Sequence, residues 1–449
     1  MAQLIFFIIT ALVAYFAIRQ YKKVYQTILL GKPYDVRIDK NAAWRNVFLI
    51  AFGQQKMFKR WIPAVLHLGI YSAFLLTQLE LIEILIDGFF GTHRFLMSFL
   101  GVFYPILISF IEILTLFALI ATIAFLARRN ILKVDRLAKS ELNGWPKLDA
   151  NLILIGEFLL VCGIFMMNGA DYVLQSANPE HFHKIGIMPV SSWLGPLFLG
   201  NMDISTLHFI ERFGWWLHVL VVYGFILYLP FSKHLHIFLA FPNVYFSNPN
   251  QRGKMENMPE IMNEVKSMLG MEVSGQTENT TEIQDFGVKD VTDLTWKNIL
   301  DSFTCTECGR CTAVCPANIT GKKLSPRKIM MSIRDRSEEI SKKLASNDLQ
   351  YAASNEGKDA TTLSISNFND GKSLFDYISR EEIHACTSCN ACVEACPVLI
   401  NPLEPILQLR RYEILTESAG PPDWVPMFTA MENGGCVWQV HEDREAWIH

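Results

Sequence analysis

Two short stretches of the sequence hold eight of the ten cysteines and share one spacing. They read CTECGRCTAVCP, from Cys305 to Pro316, and CTSCNACVEACP, from Cys386 to Pro397. In the spacing C-x2-C-x2-C-x3-C-P, three cysteines wrap three corners of a cubane iron–sulfur cluster, and the fourth reaches the other cluster. The two stretches therefore predict two 4Fe–4S clusters that exchange their fourth ligands.

The exchange assigns four cysteines to each cluster. One cluster is expected on Cys305, Cys308, Cys311 and Cys396, and the other on Cys386, Cys389, Cys392 and Cys315. Gly309 is expected to let the first loop run close to inorganic sulfide. A zinc site is the structural alternative, but it closes with four ligands and has no use for the third and fourth cysteines of each run.

Histidines in the apolar first half are the second group that could do chemistry. On one continuous helix, His218 and His236 would be five turns apart on one face, with His234 pointing elsewhere. A haem iron in a helix bundle takes two imidazoles from facing helices, so His67 and His236 are predicted to bind a haem b. His218 then indicates a second haem nearer the outer face. For any one histidine, a hydrogen-bonded core residue is the competing interpretation.

Carboxyl groups in the same half are the third group. Quinone chemistry couples two electrons to two protons, so a carboxyl at a quinone pocket can exchange those protons. We expect Glu80 or Glu83 to do so at an outer quinone site, where Gln78 can donate a hydrogen bond to a quinone carbonyl. Glu157 is the candidate for an inner site. An interhelical hydrogen bond is the competing role for each glutamate.

The elements that must position these groups follow from the composition. The 449 residues are 51% hydrophobic with a mean hydropathy of +0.21, which is high for a soluble protein. The apolar excess lies before Pro242, and the rest of the chain is polar. The net charge of -4 and the lack of a basic, aromatic-rich face argue against a nucleic-acid partner.

Five apolar segments are long enough to cross a bilayer core of about 30 Å. They are residues 4–18, 61–86, 95–127, 152–174 and 213–231. The first is a little short, and the third is long enough to tilt or to extend past the bilayer. The first has neither preceding basic residues nor a small-residue cleavage site, so it is expected to be retained as an anchor.

Charge in the loops predicts the orientation. Loops 19–60 and 128–149 hold sixteen Lys and Arg residues, whereas loops 87–97 and 175–212 hold three. Positive loops stay on the cytoplasmic side. The N-terminus is therefore expected outside, and everything after Lys233 in the cytoplasm of a bacterium, with the bundle in its inner membrane.

The predicted fold is mainly α. Residues 1–242 are expected to form a five-helix transmembrane bundle of the cytochrome b kind. Residues 243–293 are expected to be a linker around one amphipathic segment, IMNEVKSMLG, and residues 294–449 a helical ferredoxin domain with two 4Fe–4S clusters.

The membrane half resembles the gamma subunit of respiratory nitrate reductase and its relatives, which are five-helix cytochrome b subunits that link quinol to iron–sulfur partners. The resemblance rests on His67 and on the 18-residue histidine spacing that ends in YLPFSKHLHIF. In that family a second histidine follows ten residues after the first, but Thr77 stands there in this chain. The partner of His218 must then be another residue, with His93 the first candidate and His208 the next.

The second half resembles the helical two-cluster ferredoxin domain of heterodisulfide reductases, anaerobic glycerol-3-phosphate dehydrogenase and succinate dehydrogenase-type subunits. The lead-in DLTWKNILDSFTCTECGRCTAVCPA resembles membrane-bound iron–sulfur reductases that fuse this module to a nitrate-reductase-gamma-like domain. Many of these carry a further CCG domain. The sequence has no adjacent cysteine pair, so a CCG domain is expected on another subunit or absent.

Together these features predict an oxidoreductase subunit for electron transport in a respiratory chain. A soluble donor, such as an electron-transfer flavoprotein or a CCG-domain subunit, would pass electrons through the clusters and haem b to a quinone. The alternatives are a quinol-oxidising subunit that feeds a disulfide or sulfur reductase, and a non-catalytic membrane iron–sulfur sensor. No Rossmann glycine motif or P-loop is present, so hydride and phosphoryl transfer are expected elsewhere.

Overall fold

The computed structural model describes the chain except for residues 1, 35–37, 251–252, 256, 272–284, 353–361, 438–446 and 449. The described residues form helices, turns and loops, and their β-structure is limited to two isolated bridges, Lys32 with Thr295 and Ala352 with Phe368. The prediction of a mainly α fold is confirmed. Residues 272–284 of the predicted linker lie outside the described part of the chain.

The described residues of the first half of the chain form nine α-helices. They are α1 (Ala2–Ile28), α2 (Lys40–Asn46), α3 (Trp61–Phe90), α4 (Phe95–Leu100), α5 (Phe103–Asn130), α6 (Trp145–Ala177), α7 (Ser191–Leu199), α8 (Ile204–Tyr228) and α9 (His236–Tyr245). Eight more follow among the described residues of the second half. They are α10 (Pro259–Met268), α11 (Trp296–Thr304), α12 (Pro316–Ile319), α13 (Pro326–Ser346), α14 (Arg380–His384), α15 (Ala391–Ala395), α16 (Leu403–Arg411) and α17 (Val425–Gly434).

Among the described residues, five helices are long and apolar enough to cross a membrane, as predicted. Their bounds differ from the predicted ones, most clearly in the first, third and fifth helices. The first helix has 27 residues and is not short. The third predicted segment is divided at Gly101, whose φ of 52° lies in the left-handed region, so α4 ends there and α5 begins at Phe103.

The bundle has two ends, which we name by their relation to the cysteine-rich half. The cluster-side end comprises the end of α1, the start of α3, the end of α5, the start of α6 and the end of α8. Thr27 there donates to Ser341 of α13 (2.7 Å), and Arg136 donates to the carbonyl of Cys308 (2.8 Å). The opposite end is the far end, and it lies beside α4 and α7.

The fifth membrane helix ends earlier than the sequence suggests. After Tyr228 come two 3-10 turns, Leu229–Phe231 and Lys233–Leu235, with Ser232 extended between them. His236 therefore begins α9 and does not share a helix with His218, so the five-turn register is wrong. The physical reason is Pro230, which lacks the N–H that an α-helix needs at this position.

Close packing of α6 on α8 fixes the position of His218. A Cβ added at Gly214 would lie 2.6 Å from the nitrogen of Met167 and 2.8 Å from the carbonyl of Gly163. Glycines at such a crossing allow the two backbones to touch. His218 follows one turn after Gly214 and lies in the middle of the bundle, since α8 begins at Ile204, well before the predicted start at residue 213.

One apolar core joins the two halves. It contains Ile28 and Leu229 from the bundle together with Ile299, Phe303 and Ile333 from the cysteine-rich half. Because this core spans the predicted boundary, and because α9 continues past residue 242, the cysteine-rich half packs directly on the cluster-side end of the bundle.

Candidate redox centres

The two cysteine loops have the same backbone shape. In the first loop Glu307 and Gly309 have φ values of 55° and 70°, and in the second Ser388 and Asn390 have values of 55° and 61°. These residues occupy equivalent positions, two and four after the first cysteine of each run. Left-handed residues at such intervals turn the chain tightly around a point, which is what three ligands to one cluster require.

Each loop lines one of two cavities, together with one cysteine from the other loop. The first cysteine cavity is lined by Cys305, Cys308, Cys311 and Cys396, and the second by Cys315, Cys386, Cys389 and Cys392. The grouping matches the crossed pattern predicted from the spacing. The assignment of these residues as cluster ligands is a proposal that rests on this grouping.

The electrostatics of the first cysteine cavity fit a cationic iron centre. Burial raises the pKa of Cys305 and of Cys396 to about 12, and it raises that of Cys311 well above its usual value. Thiolates at these positions therefore need a positive partner, which iron supplies. Backbone N–H groups also point at sulfur, since Ile400 donates to Cys396 Sγ at 3.3 Å. The residues fit the predicted cluster.

Gly309 has a further role that the sequence did not indicate. A Cβ there would lie 2.6 Å from Arg327 Nη1 and 2.9 Å from the carbonyl of Arg136. Arg136 belongs to the loop between α5 and α6. The missing side chain thus lets this bundle loop lie directly against the first cysteine cavity.

The two cavities differ in exposure. The carbonyl of Cys308 in the first cavity accepts from Arg136 of the bundle, and the neighbouring Arg310 donates to the carbonyl of Met57, whereas Cys389 of the second cavity is exposed. Arg410 supports the second loop from inside by donating to the carbonyls of Ile383 (2.8 Å) and Cys386. The second cavity therefore faces solvent and the first faces the membrane helices.

His67 and His236 lie together at the cluster-side end, as predicted. Their ring centres are 6.4 Å apart, and the ring planes are inclined by 46°. Two imidazoles that bind one metal ion through Nε2 at about 2.0 Å have ring centres roughly 6 Å apart. The pair thus has the separation that a bis-histidine haem requires.

Hydrogen bonds set the orientation of both rings. Nδ1 of His67 donates to Oε1 of Gln54, and Nδ1 of His236 donates to the carbonyl of Lys233, both at 3.1 Å. A metal-binding histidine commonly donates its second nitrogen in this way, which leaves Nε2 for the metal. By contrast, Nδ1 of His234 is buried without a hydrogen-bond partner in the described part of the chain. No sequence pattern pointed to Gln54.

Two short chains of contacts connect these histidines to the first cysteine loop. Glu307, which lies between Cys305 and Cys308, accepts a hydrogen bond from the ammonium group of Lys233. The backbone carbonyl of Lys233 in turn accepts a hydrogen bond from His236. On the other side, Arg310 donates to the carbonyl of Met57 at 3.2 Å, in the 3-10 turn that follows Gln54.

The contact between the two halves is an ion network. Lys233 and Arg334 are mostly buried, and they hold Glu307 between them, with Arg334 Nη2 at 2.9 Å from its carboxylate. Although burial raises the pKa of Glu307, Lys233 and Arg334 outweigh it and keep that pKa below its usual value. Glu307 is therefore a carboxylate, and it holds the cluster loop to the turn that carries His236. Neither cation was selected from the sequence.

The structure does not assemble a second histidine pair around His218. Nδ1 of His218 lies 3.4 Å from the carbonyl of Leu160 on α6. The rings of His93 and His208 instead make edge-to-face contacts with the ring of Phe182, with ring centres 5.0 and 5.1 Å apart. Among the described contacts, neither of the two candidate partners meets His218.

A buried ion cluster at the far end contains Glu80. Arg94, 7% exposed, donates to Asp171 (2.8 Å) and Asn168 (2.6 Å), and its Nη1 lies 3.8 Å from Glu80. Both carboxylate oxygens of Glu80 are buried and make no hydrogen bond in the described part of the chain. Sequence reasoning missed Arg94, although buried acidic residues on α3 and α6 signal that a cation must compensate them.

The other residues predicted to act at a quinone site are Glu83, Gln78 and Glu157. Glu83 accepts from Tyr104 (2.8 Å) and from the backbone of Leu96 (2.9 Å). Gln78 donates to the carbonyl of Phe74 on its own helix at 2.9 Å. Glu157 is half-buried on α6. The far end thus brings Glu80 and Glu83 close together, but it turns Gln78 back onto its own helix.

A protein-family model matches the cysteine-rich half. Residues 304–400 match the model described as a 4Fe-4S dicluster domain. The match includes both cysteine runs and the spacer between them. It supports iron–sulfur clusters in this half of the chain.

Two curated proteins match nearly the whole chain. The probable iron-sulfur-binding oxidoreductase FadF of Bacillus subtilis (strain 168) is 29% identical over 469 residues. This match covers 99% of the present chain and 60% of the Bacillus protein. The EtfAB:quinone oxidoreductase of Syntrophomonas wolfei subsp. wolfei is 26% identical over 461 residues, covering 99% of this chain and 59% of its own length. The chain therefore spans about 60% of the length of these two relatives.

A third relative matches a shorter part. The probable membrane-anchored ferredoxin of Chromohalobacter salexigens is 33% identical over 141 residues, which is 30% of this chain and 20% of that protein. No solved structure matches the chain.

Proposed function

We propose that this chain is an iron–sulfur oxidoreductase subunit that carries electrons between a cytoplasmic redox protein and the membrane quinone pool. The two cysteine cavities hold 4Fe–4S clusters, and His67 and His236 hold a haem b. The observation that carries the proposal is the contact of one cluster loop with both histidine-bearing segments, through Lys233 and through Arg310.

When bound, these groups supply one-electron carriers, and the chain's residues fix their order. Cys389 is exposed, so the second cysteine cavity is accessible to a soluble partner. The first cysteine cavity lies between it and the histidine pair, because its loop holds Glu307 and Arg310. The order is soluble partner, second cavity, first cavity, histidine pair.

The relatives support the choice of donor and acceptor. One is named an EtfAB:quinone oxidoreductase, and another an iron-sulfur-binding oxidoreductase. An electron-transfer flavoprotein is therefore the donor we propose, and a menaquinone or ubiquinone the acceptor. A CCG-type subunit that takes electrons from quinol is the competing partner, with the same centres used in the opposite direction.

The orientation follows from charge. The cluster-side end carries the basic loops 19–60 and 128–149. Positive charge is retained in the cytoplasm, so we place the cysteine-rich half there and the far end outside, in a bacterial inner membrane.

The test uses the purified full chain in detergent. Mixing it with a reduced electron-transfer flavoprotein should reduce the iron–sulfur centres first and a low-spin haem b afterwards, and a short-chain quinone should then reoxidise both. A Cys389→Ser chain should accept electrons much more slowly while His67 and His236 still bind haem.

Two results would contradict the proposal. Absence of haem from a chain that holds its iron–sulfur clusters would favour the sensor interpretation. Clusters that are reduced by quinol, but not by the flavoprotein, would reverse the direction and favour the CCG-type partner.

A further inference from the structure

A cavity of about 300 Å³ opens where the membrane bundle meets the cysteine-rich half. Its bundle side is the start of α6 and the turns after α8, and its other side is formed by α11 and α13. The volume lies at the lower end of the range of about 300–1,000 Å³ that is typical of small-molecule sites.

The cavity connects two environments. Trp145, half exposed, begins one membrane-spanning helix, and Phe231, 57% exposed, ends the 3-10 turn that directly follows another, so both lie at the level of the bilayer surface. Aromatic residues favour this interface. On the opposite side Asp335 and Lys342 lie in solvent, with 58% and 78% of their side chains exposed. The cavity thus suits a lipid-soluble molecule with a polar head.

Two cations form the polar wall. Lys233 and Arg334 both line the cavity and are both mostly buried. The recorded bonds of Arg334 use only Nη2, so within the described part of the chain its other nitrogens are available to a ligand. Buried cations of this kind stabilise negative charge as it develops on a carbonyl oxygen.

A carboxylate stands beside the cations. Asp149 lines the cavity, and its Oδ1 accepts from Tyr228 (2.5 Å) and Ser232 (2.6 Å). Its Oδ2 accepts from the backbone of Lys233 at 3.1 Å. The carboxylate and the two hydroxyls form a connected hydrogen-bond network at the wall of the cavity.

The redox groups are adjacent on two sides. Phe303 lines the cavity and precedes Cys305 by two residues. Lys233 bonds Glu307 inside the cluster loop, and its carbonyl accepts from His236. A phospholipid head group would use the cations alone, whereas a redox-active head group would use the cations, the carboxylate and the electron donors together.

We propose that this junction cavity binds the head group of a membrane quinone, an inference that rests on the proposed function. Two electrons arrive one at a time from the reduced iron–sulfur and haem centres, each of which is oxidised in turn. Two protons arrive from the cytoplasmic side by way of Asp149. Each quinone carbonyl oxygen gains one proton, two O–H bonds form, and the product is the quinol.

The test maps where a quinone binds. The full chain in detergent is photolysed with a short-chain azido-quinone, and labelled peptides are identified by mass spectrometry. Labels are expected within residues 145–149, 230–233 and 334–342. Glu338→Trp, which places an indole in the cavity from α13, should abolish these labels and slow reoxidation of the reduced chain by quinone at least tenfold, with iron and haem unchanged.

A matched control and a second variant accompany this change. Ala345→Trp adds the same side chain to the same face of α13, two turns beyond Glu338 and outside the cavity lining, and should preserve labelling and reoxidation. If Glu338→Trp lost iron or haem, Asp335→Trp at the exposed rim would replace it.

Three outcomes overturn the placement. Labels on α4, or on the part of α3 that carries Glu80 and Glu83, would move the quinone to the far end and leave the proposed function intact. Displacement of the labels by anionic phospholipid, with normal reoxidation in Glu338→Trp, would make the cavity a lipid site. Absence of all labelling and of any reoxidation by quinone would overturn both the placement and the proposed function.

Discussion

The rings of His67 and His236 lie 6.4 Å apart, centre to centre, although the two residues belong to different helices. His67 lies on α3, and His236 is the first residue of α9, beyond the break after α8. Their Nδ1 atoms are held by Gln54 and by the carbonyl of Lys233. The pair is therefore set by two loop contacts rather than by the register of one helix.

Haem content should depend on His236 and not on His234. The rings of the two histidines lie 5.8 Å apart, yet only His236 has its Nδ1 held by a carbonyl and its ring opposite His67. His236→Ala should lose the low-spin haem b spectrum, and His234→Ala should retain it. The measurement is the reduced-minus-oxidised spectrum, normalised to iron. A haem that survived in His236→Ala but not in His234→Ala would identify His234 as the ligand.

Loss of Cys396 should damage the cluster of the opposite run. Cys396 lies in the second run but lines the first cysteine cavity. Cys396→Ser should therefore alter the electron paramagnetic resonance signal that Cys305→Ser also alters. It should leave intact the signal that depends on Cys386. If Cys396→Ser and Cys386→Ser removed the same signal, the crossed ligation would be refuted.

The ion network between the halves should show strong coupling. Glu307→Gln removes the carboxylate that Lys233 and Arg334 share and leaves them only the more distant Asp149 (3.8 Å) and Asp335 (3.4 Å). Breaking a buried pair of this kind typically costs about 3–5 kcal/mol. Glu307→Gln with Lys233→Met removes one stranded cation, so it should recover part of the loss of stability. Denaturant unfolding of the iron-loaded chain measures both. Additive losses in the double variant would show that the two residues do not act as a pair.

The spacer between the cysteine runs should be held by Arg336. This arginine is 1% exposed and bonds Asp290 (2.5 Å) at the end of the predicted linker and Asp370 (2.7 Å) in the spacer. Arg336→Met should lower the free energy of unfolding by about 3–5 kcal/mol, because Asp290 and Asp370 lose this buried cation and only Asp370 keeps another one, Lys343. Lys323→Met removes an exposed pair with Glu381 and should change stability little. Equal effects in both variants would argue against this role.

Local patterns allowed the cysteine centres to be predicted from the sequence, and long-range contacts explain what was missed. The ligand spacing of a cluster is encoded within twelve residues, so the grouping around Cys305 and Cys386 could be foreseen. The position of His236 could not be derived correctly, because the apolar run continues through Pro230 and hides the break after α8. The pair with His67 was nevertheless predicted, since both residues lie at the same depth.

The remaining misses have the same origin. Lys233 and Arg334 are ordinary basic residues in the sequence, and only the packing of the two halves brings them to Glu307. His93 was the partner expected for His218 because it lies in a loop at the far end. In the structure, its ring contacts Phe182. Side-chain direction in loops depends on tertiary contacts that spacing does not record.

Glu80 and Glu83 provide the prediction that separates the two placements of the quinone. The far end holds both residues near Arg94, but the structure assembles no histidine pair beside them among its described residues. Electrons that reach His67 and His236 are at the cluster-side end, beside the junction cavity. Glu80→Gln combined with Glu83→Gln should therefore leave quinone reduction by the reduced chain within about twofold of its normal rate. Haem and iron content provide the control, since Glu83 also holds Tyr104 and the start of α4. A rate reduced tenfold or more, with haem and iron retained, would place proton exchange at the far end and restore the outer quinone site that the sequence suggests.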